Sequence, residues 1–346
     1  MLLASPPMPR VLPCDPHDPD RASLAEAVKV LRSGGLVAFP TETVYGLGAL
    51  ALDERALARV FVAKGRPTHH PLIVHVENES QARGLASSWP ARASLLARAF
   101  WPGPLTLVVD RAAHVPPAVA GGTSSIAVRV PAHPVALALL ALLGAPVAAP
   151  SANRYQGLSP TTAAHVVKQL GDAVDLVLDA GPCHAGIEST VVDVRVDPPA
   201  VLRLGAAELA SLRAIVPELH VPARDAEPGR LAKRVSPGMD ARHYAPRARL
   251  VMAPTLEGAL AMAQAFAARE ERPVGLVVRA QAMGELPGIV LRVLPGEASQ
   301  YARLLYATLH DLDDANVCAI VVQAVPDDPS WGAVADRLAR GSATEH

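Results

Sequence analysis

FPTETVYGLG, residues 39–48, completes the apolar run LVAFP and then turns polar, with Thr41, Glu42, Thr43 and Tyr45 inside five positions. A short apolar run bounded by turn residues reads as a buried strand. The segment is expected to begin as a strand and end as a loop. A plain turn does not need so many side-chain hydrogen-bonding groups. In sheets packed against helices, ligands collect beyond strand ends, where loops converge.

Working outward, residues 22–32 have helical periodicity and Gly34–Gly35 close it. Asp53 is placed to cap a second helix running to about Ala63. PLIVHV, LTLVV, IAVRV, PVAAPS, LVLDAG, STVVDV and AVLRLG read as strands. Two short helical stretches follow PLIVHV, Pro134 opens a helix to about Leu143, and SPTTAAHVVKQL is a helix entered through Ser159. Strands and helices alternate irregularly, and this predicts a twisted mixed α/β sheet over residues 15–215. Residues 216–248 are rich in Pro, Arg and His, lack periodicity, and read as a long linker. Residues 249–346 return to a strand–helix rhythm and predict a smaller Rossmann-like α/β domain with βαβ character. It has no dinucleotide glycine fingerprint.

The bulk properties narrow the function. The chain has 346 residues, half of them apolar and 19% charged, which fits a packed globular protein. A net charge of −1 offers no global attraction to nucleic acid or an anionic membrane. Cys14, Cys183 and Cys318 are far apart, against a disulfide scaffold or structural zinc. The first ten residues make a poor signal peptide, and the most apolar stretch is too short to span a bilayer. A cytoplasmic protein is expected.

GxxxxGK[ST], HExxH and GxSxG are all absent, and GLG at 46–48 lacks a third motif glycine. His69, His70 and His75 lack the companions of a metal site. What stands out is polar residues at strand ends: Thr43, Lys64, Arg66, His75, Arg129, Ser151, Asn153, Ser189, Thr190 and Arg203. Each has a bland reading. Lys64 and Arg66 could answer a helix C-terminus, His75 could be a core histidine, and Ser151 and Asn153 could form a turn. Ser189 and Thr190 could be ordinary strand residues, and Arg203 a surface ion pair. Arg129, between apolar neighbours, is harder to set aside, because a buried guanidinium needs a partner.

FPTETVYGLG, KGRPTHHPLIVHV, WPGPLTLVV, AVRVPAHP, APSANRYQGLSPT and GIESTVVDV together resemble the YrdC-type L-threonylcarbamoyladenylate synthases. SPGMDARHYAP and the residues after it resemble the long form, with an extra C-terminal domain. The resemblance implies a YrdC-like domain and synthesis of threonylcarbamoyl-AMP from L-threonine, bicarbonate and ATP, with release of pyrophosphate. The product would serve the N6-threonylcarbamoyl modification of adenosine at tRNA position 37, through a separate transfer system and with little direct tRNA binding here. It also implies that Thr43, His75, Arg129, Ala149 (through its backbone) and Ser189 bind L-threonine. Lys64, Arg66, His70, Ser125, Ser151, Ser159 and Arg203 match ATP-binding positions, with Lys64 and Arg66 stabilising phosphate charge. Arg242, His243 and Tyr244 match residues that fold over the nucleotide, and the linker would act as an active-site lid hinged near Pro237–Gly238. Many members carry Asn where this chain has His70. Mg²⁺ is expected with ATP, held by phosphate oxygens and water and not by a protein cage. Two other readings remain open at this stage: a non-enzymatic RNA-binding platform, and carbamoyl transfer to another amine or thiol.

Overall fold

The computed structural model describes residues 9–222, 243–280 and 284–343. Arg242 and the Pro237–Gly238 hinge lie outside them. The described residues fall into two compact units. One comprises most of the chain up to the linker, and the other comprises Gln156–Ser159, Ala185–Ile187 and the residues from Asp240 onward.

In the first unit, β1 (Arg10–Pro13), β2 (Val37–Phe39), β3 (Gly46–Leu50), β4 (Ile73–His75), β5 (Ala86–Ser88) and β6 (Leu105–Arg111) join β7 (Ser125–Arg129), β8 (Val147–Ala148), β9 (Leu176–Asp179), β10 (Thr190–Asp193) and β11 (Ala200–Arg203). They form one eleven-stranded mixed sheet in the order β1-β9-β2-β3-β8-β4-β7-β6-β10-β11, with β5 pairing β6. The expected twisted mixed sheet is therefore observed. Its helices are α1 (Arg21–Arg32), α2 (Glu54–Lys64), α3 (Glu79–Gly84), α4 (Ala91–Phe100), α5 (Pro134–Leu143), α6 (Ala163–Leu170) and α7 (Leu209–Ile215).

Local chemistry sets these boundaries. Asp20 accepts from the Ser23 N–H and caps α1. Asp53 accepts from the Arg55 and Ala56 N–H groups and caps α2, whose end is turned by Gly65 in the left-handed region at φ 62°. Three expectations are corrected. GLG at 46–48 is strand and not loop: β3 pairs antiparallel with β2, Gly46 opposite Phe39 and Gly48 opposite Val37. A Cβ on Gly48 would lie 2.7 Å from the Phe39 ring, so the missing side chain makes room for that ring. α6 is entered through Thr162, whose hydroxyl accepts from the His165 N–H, and not through Ser159. Val216 and Leu219 are buried, and the Val201 N–H donates to the His220 carbonyl, so the chain continues to pack against the first unit past residue 215.

The two sheet faces are unequally covered. Val74, Leu107, Val128, Val177 and Val192 point into the large core on one face. On the other face, α1 and α5 pack over Val37, Phe39, Val147, Leu176 and Leu178. Beyond them, under β4, β7, β6 and β10, only a small apolar cluster of Ile73, Val108, Ala127 and Val191 lines that face.

The second unit carries β12 (Arg249–Ala253), β13 (Val274–Arg279), β14 (Ile289–Leu294) and β15 (Ala319–Gln323), with α8 (Leu256–Ala267), α9 (Ala298–Asp314) and α10 (Gly332–Gly341). Its strands run in the order β12-β15-β13-β14, all parallel. α8 connects β12 to β13 and α9 connects β14 to β15, whereas the parallel neighbours β13 and β14 are joined with no helix among the described residues.

Candidate active site

The register of the first sheet assembles the site. His75 on β4 pairs with Arg129 on β7. Leu107 on β6 pairs with Val128, so Thr106 stands one step on, opposite Arg129. Val191 on β10 pairs with Thr106 and also with Arg203 on β11. Side chains of paired residues share a face. Arg203, Val191, Thr106, Arg129 and His75 thus form one transverse row on the face that α1 and α5 leave uncovered. Ser189, two residues before Val191, joins it.

Arg129 is fixed from three sides. Its Nε donates to the Gly103 carbonyl at 3.1 Å and its Nη1 donates to Thr43 Oγ1 at 2.9 Å. Its Nη2 lies 2.7 Å from Glu42 Oε1. That last contact is off the hydrogen-bond axis, and both Glu42 oxygens are buried without a hydrogen-bond partner among the described residues. Thr41 and Thr43 form a one-way chain. The Thr41 hydroxyl donates to the Val44 carbonyl at 2.6 Å. The 2.7 Å contact between the two hydroxyls then requires Thr43 to donate to Thr41. With its proton spent and Arg129 donating to it, Thr43 Oγ1 can only accept from a ligand.

His75 is buried, its ring edge-on to Phe39 at 6.1 Å, and its Nδ1 has no hydrogen-bond partner among the described residues. Burial, with the Arg129 charge adding, pushes its pKa down to about 3. At neutral pH it is an uncharged imidazole. Ser189 Oγ lies 2.8 Å from Thr106 Oγ1 and accepts from Arg203 Nη2 at 3.1 Å, while Arg203 also donates to the Ser189 carbonyl. The Ala149 N–H donates to the Ile73 carbonyl at 2.9 Å, which fixes the Ala149 backbone beside β4.

A second group gathers at the other end of the same strands. Lys64, at the end of α2, is buried, and its Nζ donates to the Ser151 carbonyl at 2.6 Å and the Asn153 carbonyl at 2.5 Å, with Asn153 Oδ1 at 3.5 Å. Burial, and then the Arg66 charge, lowers its pKa well below the ordinary lysine value. Arg66 donates to the Pro71 carbonyl at 3.1 Å. The His70 ring stands edge-on to Tyr155 at 5.4 Å. Ser125 opens β7, its Oγ 3.0 Å from Thr123 Oγ1. Arg66, His70 and Pro71 precede β4, and Thr123 and Ser125 stand at the start of β7. Ser125 and Arg129 are four residues apart on one face, or about 13 Å. Between the two groups lies the apolar floor of Ile73, Ala127 and Val108.

The remaining expected residues sit elsewhere. Ser159 is buried in the second unit, its carbonyl 3.2 Å from His310 Nε2. His243 and Tyr244 are also buried in the second unit. Tyr244 adopts φ 61°, and its ring packs on His243 at 4.1 Å and under the Arg337 guanidinium at 4.8 Å. Glu42, Thr106 and Tyr155 belong to the site surroundings but were not among the residues singled out for a role. Thr106 had a signal, as a polar residue inside LTLVV.

Comparison with known proteins places the chain in a family. The family model described as "Telomere recombination" (Sua5, YciO, YrdC) matches residues 29–205. "Threonylcarbamoyl-AMP synthase, C-terminal domain" matches residues 207–343. The chain is 39% identical to threonylcarbamoyl-AMP synthase of Pyrococcus abyssi, covering 91% of this chain and 93% of the relative. It is 36% identical to the Bacillus subtilis protein of that name, covering 92% of each. Among solved structures it resembles P. abyssi Sua5 complexed with L-threonine, at TM-score 0.88 and 36% identity, covering 96% of this chain and 97% of that one. The chain therefore belongs to the Sua5/YrdC family of threonylcarbamoyl-AMP synthases, in the form that carries the additional C-terminal domain.

Proposed function

We infer that the transverse row is the L-threonine site and that the group before β4 and β7 is the ATP site. The chain makes L-threonylcarbamoyl-AMP from L-threonine, bicarbonate and ATP, releasing pyrophosphate. The observation that carries this reading is Arg129. It is a buried guanidinium, oriented by Gly103 and Thr43, in a row with a neutral His75 and Ser189. A fixed guanidinium pairs with a carboxylate through two hydrogen bonds. The threonine complex of the P. abyssi relative supports the substrate.

In this reading the carbamate forms on the threonine amine, and one of its oxygens attacks the α-phosphorus. The protein holds the reactants in line and spreads charge, with no covalent protein intermediate. Arg66 and Lys64 face the phosphates, and His70, Ser125 and Ser151 complete that group; Arg203 stands in the transverse row on Ser189, and its nucleotide role, like those of Ser159, Arg242, His243 and Tyr244, rests on the motif match alone. Lys64 acts partly by holding the 151–153 backbone, given its carbonyl partners. Mg²⁺ accompanies ATP, bound by phosphate oxygens and water.

The first unit, through at least His220, forms the catalytic part, the residues from there to 248 the linker and lid, and 249–346 the supporting domain. The product passes to a separate tRNA-modifying transfer system, and this chain binds tRNA weakly or not at all. The cytoplasm is its place of action. No helix among the described residues is long and apolar enough to cross a membrane.

The test is pyrophosphate release from ATP, with and without L-threonine and bicarbonate, beside Arg129→Ala. Release that needs both co-substrates and falls sharply in the variant is expected. Release indifferent to threonine would overturn the assignment.

A further inference from the structure

Carbamate formation releases a proton that none of the groups assigned above can take. The balance is R–NH₃⁺ + HCO₃⁻ → R–NH–COO⁻ + H₂O + H⁺: the N–C bond forms, a C–O bond breaks to release water, and one proton leaves. His75 is an uncharged imidazole beside Arg129, so protonating it would place a second positive charge against the guanidinium, and it offers an incoming ammonium no opposite charge. Thr43 is committed as an acceptor from Arg129 and a donor to Thr41. Lys64 stands with the nucleotide group and donates to backbone carbonyls.

Glu42 has the required chemistry and position. Its side chain is 13% exposed, it lies 2.7 Å from the Arg129 guanidinium, and both oxygens are buried without a hydrogen-bond partner among the described residues. A buried carboxylate with two idle oxygens awaits donors. Among the described residues, the other titratable groups facing it are His133 and Cys183. Burial pushes His133 down to about 4 and raises the Cys183 thiol far above its ordinary value, so both are uncharged at neutral pH. Among the described residues, Arg129 and Glu42 then face each other as a pair of adjacent opposite charges. The carboxylate and ammonium of an α-amino acid, separated by one carbon, are its complement.

We propose that Glu42 receives the α-ammonium of L-threonine and accepts the proton released as that nitrogen becomes the carbamate. The proposal rests on the L-threonine site assigned above. Glu42 becomes a carboxylic acid as the carbamate gains its negative charge, so charge beside Arg129 stays constant through the step. It returns the proton to solvent before the next turnover. The acceptor is specific for amino acids, because a hydroxy acid offers no ammonium to Glu42.

The experiment uses the full-length chain. Threonine binding is measured by calorimetry, and pyrophosphate release is followed from pH 6.5 to 9.5 at saturating ATP, bicarbonate and L-threonine, for the native protein and Glu42→Gln. The variant should bind L-threonine about tenfold more weakly and turn over about 10²–10⁴-fold more slowly at neutral pH. Its residual rate should climb about tenfold per pH unit as threonine arrives as the free amine, while the native rate levels off. An unchanged rate and profile would overturn the proposal. A loss equal at every pH would also overturn it, leaving Glu42 a purely structural partner of Arg129. A second measurement needs no variant: 3-hydroxybutyrate, which keeps the carboxylate and hydroxyl but lacks the ammonium, should bind the native protein at least tenfold more weakly than L-threonine. Equal binding would overturn the role of Glu42. Undiminished threonine binding by Arg129→Ala would instead overturn the site assignment itself, and the proposal with it.

Discussion

Replacing Thr43 by Val measures the worth of its hydroxyl, as the acceptor that orients the Arg129 guanidinium and as an acceptor for the ligand. Valine keeps the shape and removes the hydroxyl. Arg129 Nη1 loses its 2.9 Å acceptor and Thr41 Oγ1 loses its 2.7 Å donor. A hydrogen bond to a charged group contributes about 1.5–3 kcal/mol net. The guanidinium is then held by Gly103 and by a misaligned contact to Glu42, and its plane is free to turn away from the substrate carboxylate. If that ordering is what the bond supplies, the Kd for L-threonine rises by about 10–150-fold, since 1.4 kcal/mol is a factor of ten. Calorimetric titration of L-threonine into the native protein, Thr43→Val and Thr43→Ser measures it. Serine retains the hydroxyl and should stay within a few-fold of native. A valine variant within twofold of native, or a serine variant as impaired as valine, would refute the reasoning.

Lys64→Met should lower ATP-dependent pyrophosphate release by at least about 10²-fold, the order seen when one stabilising donor is lost. It should leave L-threonine binding within a few-fold, because the two groups sit at opposite ends of β4 and β7; parallel loss of threonine affinity would contradict that layout. Buried, neutral His75 makes stability fall with acid. Its folded value near 3 lies below the unfolded value of about 6.5, so the unfolded chain takes up the proton first and stability is lost as pH drops from 6.5 towards 3. From pH 7 to pH 5 this amounts to about 2 kcal/mol in urea unfolding, a loss that His75→Phe should reduce and that an unaltered slope would disprove. A Cβ on Gly205 would lie 2.4 Å from the Ser189 carbonyl carbon. Gly205→Ala should therefore cost about 1–3 kcal/mol by overpacking and weaken threonine binding by displacing Ser189, as denaturation and calorimetry would show.

Elements with strong local signals were legible in the sequence. The helices capped by Asp53 and opened by Pro134 lie where periodicity and caps place them, and residues 249–343 show the expected strand–helix rhythm. What local pattern could not supply is pairing. β1 (Arg10–Pro13) has no periodicity of its own and is strand because it joins β9 in parallel. GLG looks like a loop by composition, yet its glycines are strand residues that yield space to Phe39. The site divides in the same way. Arg129 was conspicuous because a guanidinium inside an apolar strand demands a partner. The identity of that partner depends on a fold-level juxtaposition across 87 residues of chain, so Glu42 passed as one more polar turn residue.

The uneven covering of the sheet explains how a family without a protein nucleophile can build its site on a strand surface. Under α1 and α5, the second face is filled by Val, Leu and Phe and is ordinary core. One strand further on, the helices stop, but the two-residue alternation continues, so His75, Arg129, Thr106 and Ser189 occupy positions that a fully covered sheet would give to aliphatic residues. Rigid strands hold these polar groups at fixed spacing more firmly than loops could. On the proposed assignment, the apolar floor of Ile73, Ala127 and Val108 lines the path joining threonine to nucleotide. A carbamate is lost by protonation in water, so an apolar, pre-spaced strip between amine and α-phosphate would do what a covalent intermediate does in other enzymes: preserve the reactive species until the next bond forms.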